Sequence, residues 1–257
     1  MTTPRVFIIR HGETEWSLNG RHTGTTELPL TPNGEKRIRA TGKALVGNDR
    51  LIVPSRLAHI YVSPRRRAQR TLELLDLGGC HSGLPWQEPP PGHQIFGGKA
   101  VVEVTNDIQE WDYGDYEGLT SKTIRQQRRE RGEKEVWDIW RDGCPGGESP
   151  HDVTNRLDRL ITDIRTRFHK HAMGSGEGAC ADVLVVAHGH ILRAFAMRWI
   201  GRNLTEGVSL LLEAGGVGTL SYEHHSIEEP AILLGGAFMV DVVENAQEDE
   251  AQQVKSS

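Results

Sequence analysis

Two histidines stand where a fold would place reactive groups. His11 follows Val6-Phe7-Ile8-Ile9-Arg10, His188 follows Val183-Leu184-Val185-Val186-Ala187, and each is succeeded by glycine. Short β-favouring runs of this kind read as buried parallel strands, and open α/β sheets collect ligands at the carboxyl ends of such strands. If the two strands are neighbours, the imidazoles face each other at one sheet edge. Arg10 then lies beside one of them, and Arg193 follows the other by five residues. Imidazole can act as base or nucleophile, and guanidinium grips oxyanions in a fork. One histidine at a strand end is commonly a structural, hydrogen-bonded residue; the pair with its arginines points to chemistry.

Two further groups fit the same chemistry. Ser63-Pro64-Arg65-Arg66-Arg67-Ala68-Gln69-Arg70-Thr71 puts four arginines into the first turns of an expected helix, where the macrodipole disfavours cations. The arrangement makes sense if an anion sits there, although only one or two of the arginines can point inward. Glu110, flanked by Trp111 and Tyr113, could hand a proton to a leaving oxygen, with Glu117 as a competing candidate. Together these residues suit a phosphoryl group attacked by imidazole. No His-Glu-x-x-His or D-x-D metal pattern is present, and strand alternation spreads His188 from His190, so no metal and no cofactor are expected. A P-loop and a G-x-G-x-x-G turn are also missing, which argues against ATP-dependent transfer.

The elements that must position these groups follow from pattern. Residues 15–30 read as a loop over the end of the first strand. Thr31-Pro32 opens a helix to about Val46, Ala58–Val62 is a strand, and Ser63-Pro64 repeats the cap-plus-proline start for a helix to about Leu75. The Gly- and Pro-rich stretch 78–99 reads as a surface insertion. Val101–Val104 is a strand, 120–131 a polar helix and 134–141 a shorter one. Ser149-Pro150, with Asp152 three residues on, opens an amphipathic helix whose face is Val153, Leu157, Leu160, Ile161 and Ile164. Residues 174–178 are a flexible turn. Asp182–Val186 is a strand and about Ile191–Ile200 a helix; Ser209–Glu213, Val217–Glu223 and Ala231–Leu234 are further strands. The expectation is one domain over 1–243 and a disordered acidic tail over 244–257.

Bulk properties narrow the class. The chain has 257 residues, 37% hydrophobic and 25% charged, enough for one large α/β domain. A net charge of −5 argues against nucleic acid or an anionic membrane surface as partner. No apolar run is long enough to span a bilayer. The three scattered cysteines, Cys80, Cys144 and Cys180, fit free thiols in a reducing compartment, so the chain reads as soluble and intracellular, cytoplasmic with the nucleus also open to it.

At this point the sequence resembles the histidine phosphatase superfamily. Arg10-His11-Gly12-Glu13-Thr14 is similar to its Arg-His-Gly signature, Ser63-Pro64-x-x-Arg67-Ala68-x-x-Thr71 to its second-arginine motif, Glu110-x-x-x-Gly114-x-x-Glu117-Gly118 to its acid motif, and Ala187-His188-Gly189-His190 to its second-histidine motif. The resemblance implies a phosphoglycerate-mutase-like fold: an α/β three-layer sandwich, a mostly parallel central sheet with helices on both faces. It also implies roles. His11 would take the phosphoryl group; Arg10, Arg67 and His188 would hold its oxygens; Glu110 would protonate the leaving alkoxide and then activate water. Arg65, Arg66 and Arg70 revert to the surface.

Within the superfamily the chain resembles the fungal sedoheptulose-1,7-bisphosphatase-like branch, through Thr14-Glu15-Trp16-Ser17, Glu110-Trp111-Asp112-Tyr113-Gly114-Asp115-Tyr116-Glu117-Gly118 and Trp140-Arg141-Asp142-Gly143-Cys144. That likeness implies substrate contacts from Thr23, Gly24, Tyr113 and Arg193. His22 stands where the branch has tyrosine, and the stretch between Ile200 and Ser209 is shorter than in the branch. The implied activity is metal-independent hydrolysis of a small sugar or polyol phosphate, with sedoheptulose 1,7-bisphosphate as the leading substrate. The alternatives are a cofactor-dependent phosphoglycerate mutase and a non-catalytic phospho-ligand binder. Against the mutase stand Trp111-Asp112-Tyr113, where mutases carry Arg-His-Tyr, and the acidic tail, where they carry lysines. The oligomeric state is not written in the sequence.

Overall fold

A computed structural model describes residues 3–78, 84–87, 95–96, 100–133, 136–173 and 181–238. The strands are β1 (Val6–Arg10), β2 (Leu57–Val62), β3 (Ile95–Phe96), β4 (Ala100–Val104), β5 (Asp182–Ala187), β6 (Val217–Tyr222) and β7 (Pro230–Phe238). They form one sheet in the order β3-β4-β2-β5-β1-β6-β7. Its centre, β4-β2-β5-β1, is parallel, while β3, β6 and β7 each run antiparallel to their neighbours.

The helices are α1 (Glu15–Asn19), α2 (Pro32–Leu45), α3 (Arg66–Leu74), α4 (Ser121–Glu130), α5 (Ile139–Asp142), α6 (Pro150–Ile164), α7 (Lys170–Ala172) and α8 (Gly189–Trp199). None of the described helices is long and apolar enough to cross a membrane.

Strand alternation builds the three layers. Val183, Val185 and Ala187 point to one face, with Val6 and Ile8, and pack on α6 and α8 through Leu157, Leu160, Ile191 and Phe195. Leu184 and Val186 point to the other, with Phe7, Ile9, Ile60 and Val62, and pack on α2 and α3 through Ile38, Leu45, Ala68 and Leu72. All six residues of β5 are buried, as a strand covered on both faces requires. Each buried Val or Leu contributes about 1.5–3 kcal/mol relative to exposure.

Local signals explain the helix starts. The Thr31 side chain accepts from Gly34 N and Pro32 occupies the first turn of α2. Ser149 and Asp152 form a reciprocal capping box on α6.

Four expectations need correction. Residues 15–19 are a helix, not loop, because Thr14 and Ser17 form a capping box and Gly20, at φ 75°, closes it in the left-handed region. Ser63 does not cap α3, whose N-cap is Arg65 without a side-chain bond; the serine hydroxyl makes a long 3.4 Å bond with Arg65 N and a shorter one elsewhere. Residues 209–213 are not a strand, because β6 is already paired on both sides, by β1 and β7. The shorter helix expected over 134–141 is α5, confined to Ile139–Asp142, with Asp138 as its cap.

Of the 78–99 stretch, Leu84 is buried in the α2–α3 layer and Ile95–Phe96 lengthen the sheet. The 174–178 turn, the 244–257 tail, Cys80 and Cys180 lie outside the described residues. Cys144 is buried, and its thiol is pushed up to about 12 by burial first, then by Asp112 and Glu148.

Candidate active site

The register of β1 on β5 sets the site. Arg10 is paired with Ala187, and His11 N donates to Ala187 O at 2.9 Å. The next residue on each strand is a histidine, so the His11 and His188 rings meet edge to face, 5.1 Å between centroids.

His11 is 5% exposed, and its Nδ1 lies 2.7 Å from Gly12 O. A carbonyl only accepts, so Nδ1 carries the proton and Nε2 carries the lone pair. Burial first, then Arg67 and Arg10, holds this imidazole well below its usual pKa. It is therefore neutral at physiological pH, with its far nitrogen ready to attack. The backbone beside it is braced by Thr71, whose hydroxyl accepts from Gly12 N at 3.0 Å and donates to Arg67 O at 2.8 Å.

A cavity of about 190 Å³ opens in front of His11. Arg10, His22, Thr23, Glu110, Tyr113 and Arg193 line it, and all six were expected site residues. Glu110, 6% exposed, sits at the start of α8: Oε1 accepts from Trp111 N and Ile191 N, both at 2.9 Å, and Oε2 from His190 N at 3.1 Å. With one bond instead of two, Oε2 is the oxygen that can carry and pass a proton. Arg10 anchors Nη1 on Leu212 O at 2.8 Å, leaving its buried Nε without a partner. Arg193 bonds Gly189 O through Nε at 3.0 Å and lies over the Trp140 ring.

Tyr113 OH is 2.7 Å from His190 Nδ1. Burial first, then Glu110, raises the phenol well above its usual range, so it stays protonated and donates. His22 bonds Ser121 Oγ through Nε2 at 3.1 Å and is lowered to about 4, by burial above all.

Three expected residues stand behind the cavity wall. Arg67 is wholly buried; it donates to Thr23 O, Gly24 O and Thr26 O, and through Nε to His188 Nδ1 at 3.1 Å. His188 Nε2 in turn lies 2.6 Å from Ser63 Oγ, which is where that serine is used. Gly24 packs its Cα against the chain, since a Cβ there would stand 2.4 Å from Trp111 O. Glu117, the rival acid, spends its carboxylate on Gly24 N and Thr26 N. The anion near the start of α3 is a carboxylate of the chain itself, Glu27, which accepts from Arg66 N at 3.1 Å and pairs with Arg65. Arg70 pairs with Glu35 and Glu73.

Sequence reasoning missed Thr14, Trp16, Ser17, Arg21 and His190 as lining residues. The capping signature at Thr14 was the signal that could have found the first four. Among the described residues no cluster of three or more His, Cys, Asp or Glu could hold a metal ion.

A family model described as the histidine phosphatase superfamily (branch 1) matches residues 6–87 and 94–231. The chain is 37% identical to a sedoheptulose 1,7-bisphosphatase of Saccharomyces cerevisiae, covering 95% of this chain and 97% of that one. It is 34% identical to an acid phosphatase of Mycobacterium tuberculosis, over 89% and 91% of the two chains. A solved structure of a Mycobacterium tuberculosis open reading frame superposes with a TM-score of 0.66 at 30% identity, covering 91% of this chain and 97% of that one.

Proposed function

The chain belongs to the histidine phosphatase superfamily, and we propose that it hydrolyses a small sugar phosphate or bisphosphate through a phosphohistidine on His11, with sedoheptulose 1,7-bisphosphate as lead substrate and other sugar or polyol phosphates as rivals. The observation that carries the mechanism is the His11 Nδ1 to Gly12 O bond, which leaves Nε2 as the nucleophile.

In the first step Nε2 attacks phosphorus, an N–P bond forms and the P–O bond to the sugar breaks. Glu110 Oε2 gives its proton to the departing oxygen. In the second step water attacks phosphorus while Glu110 takes its proton. The N–P bond breaks, and His11 and the acid return to their starting states. Arg10, beside His11 in the cavity lining, meets the phosphoryl oxygens, and Arg193 supports the charge from α8. Arg67 and His188 act from behind, through their mutual bond and the contact of His188 with the His11 ring. Thr23, Tyr113 and His22 line the sugar end, while Gly24 keeps the Thr23 loop close to Trp111.

The lead substrate rests on the full-length likeness to the yeast sedoheptulose 1,7-bisphosphatase. The test is phosphate release from purified protein against sugar and polyol mono- and bisphosphates. We expect sedoheptulose 1,7-bisphosphate to give the highest kcat/KM. Turnover of none of these compounds, or conversion of 3-phosphoglycerate to 2-phosphoglycerate with bisphosphoglycerate, would overturn the proposal.

A further inference from the structure

We propose that Arg21 forms a second anion subsite at the mouth of the His11 cavity and takes the distal phosphate of a sugar bisphosphate. The inference rests on the sugar-phosphatase reading above and adds to it a group that reads the far end of the substrate.

The arginines of the cavity divide into two sets. Arg10 and Arg193 belong to the floor: Arg10 precedes the nucleophile, and Arg193 is tied to Gly189 O in the turn that follows His188. Arg21 lines the cavity from a different element, α1 and the residues that follow it, with Trp16, Ser17 and Gly20, and unlike Arg10 and Arg193 it is exposed. Arg67 and Arg10 depress the His11 pKa, whereas Arg21 is not among the charges acting on that ring.

The backbone at Arg21 is held firmly. Gly20 turns in the left-handed region, Arg21 N donates to Trp16 O at 3.1 Å, and Arg21 bridges to Thr120. The turn folds the side chain back over Trp16, with the guanidinium carbon 5.7 Å from the ring centroid. Trp16 is itself braced, because a Cβ on Gly118 would lie 2.9 Å from its Cη2. A guanidinium on a fixed aromatic shelf keeps its N–H edge free for a ligand.

Charge balance supports this assignment. Around the depression lined by Arg66, Arg67 and Leu28, Arg70 is neutralised by Glu35 and Glu73, and Arg65 by Glu27. Arg21 has no carboxylate partner among the described residues. Around the His11 cavity three guanidiniums, Arg10, Arg21 and Arg193, meet a single carboxylate, Glu110. One phosphoryl group at His11 engages the floor pair and leaves Arg21 uncompensated.

Size points the same way. At about 190 Å³ the cavity is smaller than the roughly 300–1,000 Å³ that encloses a drug-sized ligand. A long sugar bisphosphate bound by one phosphate at His11 must therefore extend its other end to the mouth, where Arg21 stands.

The test compares wild type, Arg21→Ala and Arg21→Lys on a sugar bisphosphate and on p-nitrophenyl phosphate, which has no distal anion. Losing a charge-assisted contact to phosphate should raise KM for the bisphosphate by about ten- to a hundredfold relative to any change on the aryl phosphate, with kcat nearly constant. Lysine should recover part of the loss. Sugar mono- and bisphosphates are also compared as competitive inhibitors of p-nitrophenyl phosphate hydrolysis. Wild type should favour the bisphosphate, and Arg21→Ala should erase the preference. Equal effects on both substrates, or a bisphosphate preference that survives in Arg21→Ala, would overturn the subsite. Absence of any sugar-phosphate turnover by wild type, with the inhibition preference intact and sensitive to Arg21, would instead overturn the substrate assignment alone.

Discussion

Replacing Arg156 with Met probes the support beneath the acid. Arg156 is 5% exposed on α6, and it grips Glu148 with two bonds, Nε to Oε1 at 2.7 Å and Nη2 to Oε2 at 2.8 Å. Its Nη1 also donates to Asp107 O and Gln109 O, both at 2.9 Å, so one guanidinium holds the chain on the approach to Glu110. Glu148 continues the brace from the other side, through its Oε2 to Asp112 N and its carbonyl to Trp111 Nε1. Met fills much of the volume but leaves a carboxylate with one bond and two carbonyls without any.

Breaking a buried pair from one side costs about 3–5 kcal/mol. The Glu148 side chain is 17% exposed, so water relieves part of this, and the lower half of that range, about 3–4 kcal/mol, is expected. For a chain of this size that corresponds to a fall in Tm of about 6–16 °C. Urea unfolding of the single variant and of Arg156→Met/Glu148→Gln measures it, and the double variant should recover about half by removing the stranded charge. Hydrolysis of a sugar phosphate should also fall more than that of an aryl phosphate, because the segment that loosens carries the acid. A loss below about 1 kcal/mol, within the range of a surface ion pair, would refute the reasoning.

One further expectation concerns the site and one the buried core. Glu110→Gln should slow sugar-phosphate hydrolysis by about a hundred- to ten-thousandfold and p-nitrophenyl phosphate far less, since an aryl leaving group needs little protonation; equal losses on both would point to another acid. The depressed histidines make stability fall in acid: His169, wholly buried and lowered to about 3 chiefly by burial, stays neutral in the folded chain while the unfolded chain takes up its proton below about 6.5. Stability from this residue is thus complete above that value and drains away as pH falls towards 3, by up to about 5 kcal/mol, so the urea midpoint should be lower at pH 4.5 than at pH 7. Equal midpoints would contradict it.

The site was legible where local chemistry and strand periodicity coincide. β1 and β5 were visible as apolar runs, and the histidine after each falls into line because adjacent parallel strands share a register. Glu110, Arg10 and Arg193 were visible as residue types in spaced motifs, and the fold brings them to one cavity. Less legible was what depends on distant partners. Nothing local says that Glu117 is consumed by Gly24 N and Thr26 N, or that Ser63 turns from capping α3 to bonding His188. The run Ser209–Glu213 reads as a strand, yet no edge of β6 is left for it, and its carbonyl at Leu212 holds Arg10 instead. Short α1 escaped notice because five residues show no helical period, only a cap and a closing glycine.

The central claim is that the His11 imidazole carries the phosphoryl group between the two half-reactions. It is tested most directly by quenching the enzyme in base during turnover of a sugar phosphate and mapping the phosphorylated peptide. The geometry predicts a base-stable phosphoryl group on Nε2 of His11, absent from His11→Ala. Phosphoryl on another side chain, or phosphate release by His11→Ala at the wild-type rate, would contradict it.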